Sequence, residues 1–165
     1  VEEYNQRDFT FAQKNLRILS GLYGLLRPLD LILPYRLEMG TKIKNPGGKD
    51  LYEFWGDKIT QTIQCELSSH RNKTLINLAS IEYFKSINSS LLPGNIINPI
   101  FKDYSNGNYK ILSFFAKKAR GSMSSFIVKN RITKPSDLKS FDIDGYSFND
   151  SLSTDQDWVF TRKAN

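Results

Sequence analysis

Leu51, Trp55, Ile59, Ile63 and Leu67 step by four between Asp50 and Ser68, with Asp50 standing where an N-cap belongs. This is the clearest helical signal in the chain, and its apolar stripe has to be covered by another element. A few residues later the pattern changes. Thr74-Leu75-Ile76-Asn77-Leu78 is a short apolar run suited to a buried strand, and Ser80 can cap a short helix through Ile81-Glu82-Tyr83-Phe84-Lys85.

The remaining segments continue the mixture. Phe9, Ala12, Leu16 and Leu19 recur at three- and four-residue spacing, which predicts a helix over Asp8–Ser20 started by Thr10 or Asp8. Gly21-Leu22-Tyr23-Gly24-Leu25-Leu26-Arg27-Pro28 then breaks it with a compact turn, and residues 29–48 read mostly as loop. Asn95–Lys102 and Tyr109–Ala116 are β-rich runs joined by an Asn106-Gly107 turn, so an antiparallel hairpin is expected there. Lys117–Arg131 reads as a helix with Met123, Phe126 and Ile127 inward. Pro135 opens a short helix, and last strands fall around Tyr146-Phe148 and Trp158-Phe160. The fold class is therefore mixed α/β with antiparallel hairpins. Without repeats or linkers, residues 1–165 are expected to form a single compact domain.

Counts exclude several chemistries. One cysteine, Cys65, and one histidine, His70, cannot assemble a Cys/His zinc site, so no metal and no cofactor is assigned. His70 lies in a polar stretch that reads as solvated loop, so no catalytic residue is assigned either. Cys65 sits beside the seam of Phe54 and Lys58 and reads as half-buried and inert. Phe54 and Trp55 read as core rather than as base-stacking groups beside Tyr52. The longest uncharged run, Ser86–Phe101, contains Pro93, Pro99 and three asparagines and is no membrane span. With no cationic-then-apolar leader, the cytoplasm is the expected compartment.

Charge supplies the functional lead. The chain carries 23 Lys+Arg against 17 Asp+Glu, a net +6. Residues 142–157 hold five aspartates and no cation, so the rest has 23 cations against 12 acids, or +11. Between residues 110 and 139 there are eight cations and one acid, Asp137. Ala116-Lys117-Lys118-Ala119-Arg120-Gly121 places three cations in what reads as the first turn of a helix. They oppose the helix dipole there unless an anion such as phosphate is bound, the alternative being a solvated basic turn. The aspartates around Asp142 and Asp144 miss calcium-loop spacing and read as a solvated turn.

Two further places could hold ligands. The Gly21–Gly24 turn can bring backbone N–H groups against a DNA phosphate, with Arg27 and Arg36 nearby, or can be purely structural. At the end of the Thr74–Leu78 strand, Asn77, Ser80, Glu82 and Lys85 can line a crevice, and Asp30, Glu38 and Glu82 are candidate acid–base carboxylates. Ser80 can equally serve only as a cap, and Arg36 or Lys85 can simply neutralise the carboxylates.

Five strings stand in order across nearly the whole chain. They are Leu19-Ser20-Gly21-Leu22-Tyr23-Gly24-Leu25-Leu26-Arg27-Pro28-Leu29-Asp30, Pro34-Tyr35-Arg36-Leu37-Glu38-Met39-Gly40, Phe54-Trp55-Gly56-Asp57, Asn77-Leu78-Ala79-Ser80 and Ala116-Lys117-Lys118-Ala119-Arg120-Gly121. Together they closely resemble the bacterial YaaA family of peroxide-stress-resistance proteins. The resemblance implies a cytosolic protein that helps bacteria survive hydrogen peroxide, is connected with limiting free iron, and binds double-stranded DNA through a basic cleft with a helix-hairpin-helix-like element. Carried onto this chain, that element falls on Gly21 and Gly24, and the cleft draws on Arg27, Arg36, Lys85, Lys117, Lys118 and Arg120. The resemblance also implies an N-terminal segment that this chain lacks. The rival expectation is an enzyme on a nucleotide or phosphorylated small molecule in the same cleft, with Glu38 or Glu82 as base.

Overall fold

In chain order the elements are α1 (Gln6–Asn15), β1 (Ile18–Ser20), β2 (Gly24–Leu26), α2 (Leu51–Trp55), α3 (Lys58–Ser68), β3 (Thr74–Ile76), α4 (Ile81–Phe84), β4 (Asn95–Ser105), β5 (Asn108–Lys110), α5 (Ser113–Lys129), β6 (Ser147–Phe148) and β7 (Asp157–Lys163). Short 3-10 turns lie at Ser89–Leu91, Pro135–Ser140, Ile143–Gly145 and Asp150–Leu152. The structure is a computed structural model and describes residues 3–163. The class is mixed α/β, as the patterning predicts. Backbone packing divides the chain into two compact units, one reaching to Lys73 and resuming over Ala79–Pro93, the other made of Thr74–Leu78 and everything from Gly94 onward.

The second unit is built on β4. Its first residues pair in parallel with β3 (Thr74 opposite Asn95), its last three pair antiparallel with β5, and Asn98–Tyr104 pair in parallel with β7. β6 completes the sheet antiparallel to β7. Asn106 and Gly107 turn the β4–β5 hairpin with φ of 52° and 82°, the positive values that the Asn-Gly pair predicts. Along β4, Ile97, Pro99, Phe101 and Asp103 alternate buried with more open residues. α5 packs on β4, and its Ala116, Ala119 and Met123 join Phe101, Leu138, Phe141, Tyr146 and Phe160 in one core. The Phe101 ring stacks on Phe160 at 5.4 Å and meets Phe141 and Tyr146 edge-on.

Within that core lies a charge. Asp103 is 1% exposed, accepts Nε and Nη2 of Arg162 at 2.6 Å, and accepts the Tyr146 hydroxyl at 2.9 Å. Burial and the Asp103 carboxylate hold the Tyr146 phenol above its ordinary value.

In the first unit, Leu51, Ile59, Ile63 and Leu67 are buried as the four-residue step predicts, and Asp50 caps α2 through the Glu53 N–H. The single helix expected over Asp50–Ser68 is instead two, because Gly56 takes φ of 47° between them. The helix expected over Asp8–Ser20 runs only from Gln6 to Asn15. Its cap is Asn5, with Asp8 completing a capping box instead of starting the helix, and Leu16 turns extended so that Ile18–Ser20 pair as a strand with Gly24–Leu26. Cys65 is exposed rather than half-buried, on the side of α3 away from Ile59, Ile63 and Leu67. His70 falls just beyond α3, and residues 29–48 contain only an isolated Asn45–Gly48 bridge.

The second unit overturns one expectation with functional weight. Of the expected Tyr109–Ala116 strand only Tyr109 and Lys110 are strand, in β5, and α5 begins at Ser113 rather than Lys117. Phe114, Phe115 and Ala116 look β-like by composition, but Ala116 and Ala119 are drawn into the core on the helical three-residue step.

Two measurements test the buried pair. Asp103→Asn leaves the Arg162 guanidinium without its counter-charge, and thermal or denaturant unfolding is expected to show a loss of about 3 kcal/mol. Since the Tyr146 phenol lies above the ordinary 10.0, its contribution is whole below that pH and is lost as pH rises beyond it. Tyr146→Phe is expected to flatten that alkaline decline in melts run across the tyrosine range.

Candidate functional site

Four of the five strings that carry the family resemblance place residues in the first unit. Gly21 and Gly24 flank a turn between two strands, not between two helices, so the helix-hairpin-helix-like element expected there is a β-hairpin. Both glycines are needed for protein contacts. A Cβ on Gly21 would strike the Leu37 carbonyl, and one on Gly24, at φ of 73°, would lie 2.8 Å from the Trp55 ring. The half-buried Trp55 indole donates to the Gly21 carbonyl at 3.0 Å, which fixes α2 to the hairpin.

Next to this hairpin is a cluster of hydroxyls and carboxylates. Ser20 Oγ, in a residue 1% exposed, shares a short hydrogen bond with the Tyr35 hydroxyl and accepts the Tyr23 N–H at 2.9 Å. Tyr23 and Tyr35 meet edge-on at 5.4 Å. Burial, followed by Tyr35 and the Glu82 carboxylate, raises the Tyr83 phenol; Glu38 adds to this and a backbone hydrogen bond with Met39 opposes it. Glu82 Oε1 accepts the Gly40 N–H at 2.8 Å, tying α4 to the loop that carries Glu38 and Met39. The Tyr52 hydroxyl donates to the Glu82 carbonyl at 3.0 Å, and Lys85 Nζ stands 4.9 Å above the Tyr52 ring. Ser80 caps α4 through the Tyr83 N–H.

Three arginines of this unit, Arg17, Arg27 and Arg36, have carboxylate partners. Glu66 accepts Arg17 Nε at 2.5 Å and Arg27 Nη2 at 3.0 Å. Arg36 Nε lies 3.6 Å from Glu38 Oε1, with both side chains largely in solvent, a pair worth little by itself. Asp30 accepts the Arg27 N–H at 2.8 Å and closes the turn after β2. Glu38, Glu82, Tyr35 and Tyr83 are thus brought together, while Asp30 serves the backbone.

The remaining candidates belong to the second unit. Asn77 follows β3 and donates to Asn98, which donates to Asp157, so a row of polar side chains crosses three parallel strands at 3.0 and 2.9 Å. Lys117, Lys118 and Arg120 lie beyond the first turn of α5, since the helix starts at Ser113. Their conflict with the helix dipole, the physical ground for an anion at the helix start, is therefore absent. Lys117 and Lys118 are exposed and Arg120 is half-buried. Lys118 Nζ pairs with Asp144 at 3.2 Å, so part of the acidic stretch folds back onto the basic helix. Sequence reasoning missed Ser20, Tyr35 and Tyr83 as a group, although all three stand in or beside the five strings. It also missed Asp103 and Arg162, 59 residues apart, for which no local signal exists.

Among the described residues no helix is long and apolar enough to cross a membrane, and no group of three or more His, Cys, Asp or Glu could hold a metal ion. The family model described as "Peroxide stress protein YaaA" matches residues 1–152. A "UPF0246 protein" of Teredinibacter turnerae is 59% identical over 160 residues, which are 97% of this chain and 62% of that protein. A relative of the same description in Saccharophagus degradans gives the same figures, and one in Colwellia psychrerythraea is 56% identical over 163 residues, 99% of this chain and 63% of its own length. The chain spans somewhat under two thirds of these relatives.

Glu66 yields a pH test. Although burial opposes it, hydrogen bonds from Arg17 and Arg27 hold its carboxyl below the ordinary 4.5, so the stability it contributes is present above that pH and lost as pH falls below it. Glu66→Gln is expected to lower the melting temperature at neutral pH and to converge on the unsubstituted protein in acid, read by melts between neutral pH and the carboxylate range.

Proposed function

The chain belongs to the peroxide stress protein YaaA family, and from that premise we propose that it binds double-stranded DNA through backbone phosphates during the oxidative stress response. The observation that carries the reading is the distribution of charge: eight cations and one acid over residues 110–139, a stretch that includes all of α5. Lys117 and Lys118 project from the exposed side of that helix, with Arg120 beside them. Gly121 is on the same exposed side. A Cβ there would meet nothing within 4 Å, so no packing demand accounts for the glycine, which costs a helix roughly 0.5–1 kcal/mol relative to alanine. A glycine in that position lets a sugar-phosphate backbone approach the helix closely, with Lys117 as phosphate donor and Lys118 joining it by exchanging its solvent-exposed pair with Asp144 for a phosphate. Arg27, held by Glu66 at 3.0 Å, is assigned no phosphate, whereas Arg36, in a weak and largely solvated pair with Glu38, stays a candidate donor on the first unit. Lys85 stands over the Tyr52 ring of the same unit. The link to limiting free iron is taken from the family and given no iron ligand on this chain, and the cytoplasm is the compartment the reading requires.

A second reading rests on the Tyr35, Tyr83, Glu38 and Glu82 cluster, where phenols and carboxylates stand together as candidate acid and base groups for a phosphorylated small molecule or nucleotide. The hydrogen bond from the Gly40 N–H to Glu82 Oε1 favours a structural task for that carboxylate.

Lys117→Ala/Lys118→Ala/Arg120→Ala is expected to weaken duplex binding and to flatten its salt dependence, by about 0.9 in slope for each phosphate no longer neutralised. Unchanged affinity and slope in fluorescence anisotropy would remove α5 from the interface. Gly121→Ala is expected to raise stability by about 0.5–1 kcal/mol while weakening the duplex complex. Glu38→Gln/Glu82→Gln is expected to leave duplex binding intact or improved, whereas loss of a turnover on nucleotides in the same variant would favour the second reading.

A further inference from the structure

The first unit exposes more large apolar side chains than it buries. Among the described residues it buries seven hydrophobic side chains and exposes ten large ones, whereas the second unit buries eleven and exposes five, Phe114 among them. Exposed apolar residues scattered singly are ordinary, but here they are gathered. Leu29, Leu31, Ile32, Leu33 and Tyr35 follow β2 in one exposed run, with Leu31 at 100% and Leu33 at 77%. The run lies outside every helix and strand, yet it is held in place. Asp30 accepts the Arg27 N–H near its start, the Leu33 N–H donates to the Tyr23 hydroxyl at 3.2 Å, and the Tyr35 hydroxyl shares a hydrogen bond with Ser20 at its end. The β1–β2 hairpin that supplies Ser20 and Tyr23 is a two-stranded sheet, which is marginal in water without a covering layer, and its Ile18 and Leu22 are themselves exposed.

We propose that this run, centred on Leu31 and Leu33, is the docking surface for the rest of the family protein, the part of the longer relatives that lies outside their match to this chain. The 160 matched residues are 62% of the Teredinibacter turnerae relative, so roughly 100 of its residues, a piece of domain size, lie outside them. A covering piece on the same polypeptide acts at about millimolar effective concentration, which sets it ahead of a second copy for the same surface. Leu31-Ile32-Leu33 carries no charge, while the Arg36–Glu38 pair just beyond it is solvated, the apolar centre and polar rim of an interface. Because Tyr23 and Ser20 already fix the run, its aliphatic side chains are presented without a further ordering cost. The proposal is independent of the nucleic-acid reading, since the helix that carries that reading belongs to the second unit.

The test compares this chain with a chimera in which it replaces the 160 matched residues of the Teredinibacter turnerae relative. Both carry Cys65→Ser, which removes the exposed native thiol, and either Leu31→Cys in the run or Ser151→Cys as an exposed position of the second unit. Maleimide labelling of Leu31→Cys is expected to be about tenfold or more slower in the chimera, with Ser151→Cys labelled at the same rate in both. Equal rates at Leu31→Cys overturn the proposal, as does slowing at both positions alike. Leu31→Asp/Leu33→Asp supplies a second measurement. It is expected to leave the melting temperature of this chain unchanged and to lower that of the chimera by roughly 5 °C or more, and an equal effect on the two overturns the proposal. A dimer of this chain in sedimentation that Leu31→Asp/Leu33→Asp disperses also overturns it and assigns the run to a second copy. None of these readouts involves a nucleic acid, so loss of duplex binding by α5 leaves the proposal standing and failure here leaves the nucleic-acid reading standing.

Discussion

Asp103 sets the terms for the second unit. A carboxylate at 1% exposure can be held in an aromatic core only if its oxygens are answered, and here Arg162 from β7 and Tyr146 from the connection before β6 answer them. The ion pair joins the register partners Asp103 and Arg162 on β4 and β7, so the parallel pairing cannot slip by a residue without burying an unpaired charge. Arg162 in turn lies between the rings of Phe115 and Tyr146, at 4.8 and 4.5 Å, which carries the constraint to the first turn of α5. The position of the exposed Phe114 thus depends on a buried aspartate one strand away.

The legible parts of the sequence were those with local causes. The four-residue step to Leu67, the caps at Asp50 and Ser80, the Asn106-Gly107 turn and the last two strands all follow from residues within a few positions of one another. Three boundaries were illegible for tertiary reasons. Leu16 and Leu19 continue a helical spacing, yet the chain leaves the helix because Ile18–Ser20 pair with Gly24–Leu26, and Arg17 is held by Glu66 from α3. Phe114-Phe115-Ala116 has β-like composition but is taken into α5 by the packing of Ala116 and Ala119. Gly56 interrupts the otherwise continuous pattern of α2 and α3 with a backbone angle that spacing does not report.

Among the candidate sites, the cations were visible as residues, but their circumstances were not. An eight-to-one excess of cations is read directly from the chain, while the pairing of Lys118 with Asp144 and of Arg27 with Glu66 depends on partners 26 and 39 residues away. The same holds for Ser20, Tyr35 and Tyr83. Each sits in or beside a string that carries the family resemblance, yet their convergence around Glu38 and Glu82 requires a hairpin, a long loop and a short helix to meet.

Thr74–Leu78 belongs with the second unit although the chain on both sides of it belongs with the first. The polypeptide therefore passes between the units three times, at Lys73, after Leu78 and after Pro93. No single cut yields both units whole: a fragment from Gly94 onward lacks β3, and one ending at Pro93 carries a strand whose partner is gone. In synthesis, β3 emerges before β4, and the sheet is complete only when β7, some eighty residues later, leaves the ribosome. The first unit can acquire its core while holding an unsatisfied strand for the second, which makes this interleaving a timing constraint on biogenesis as much as a pattern of connections.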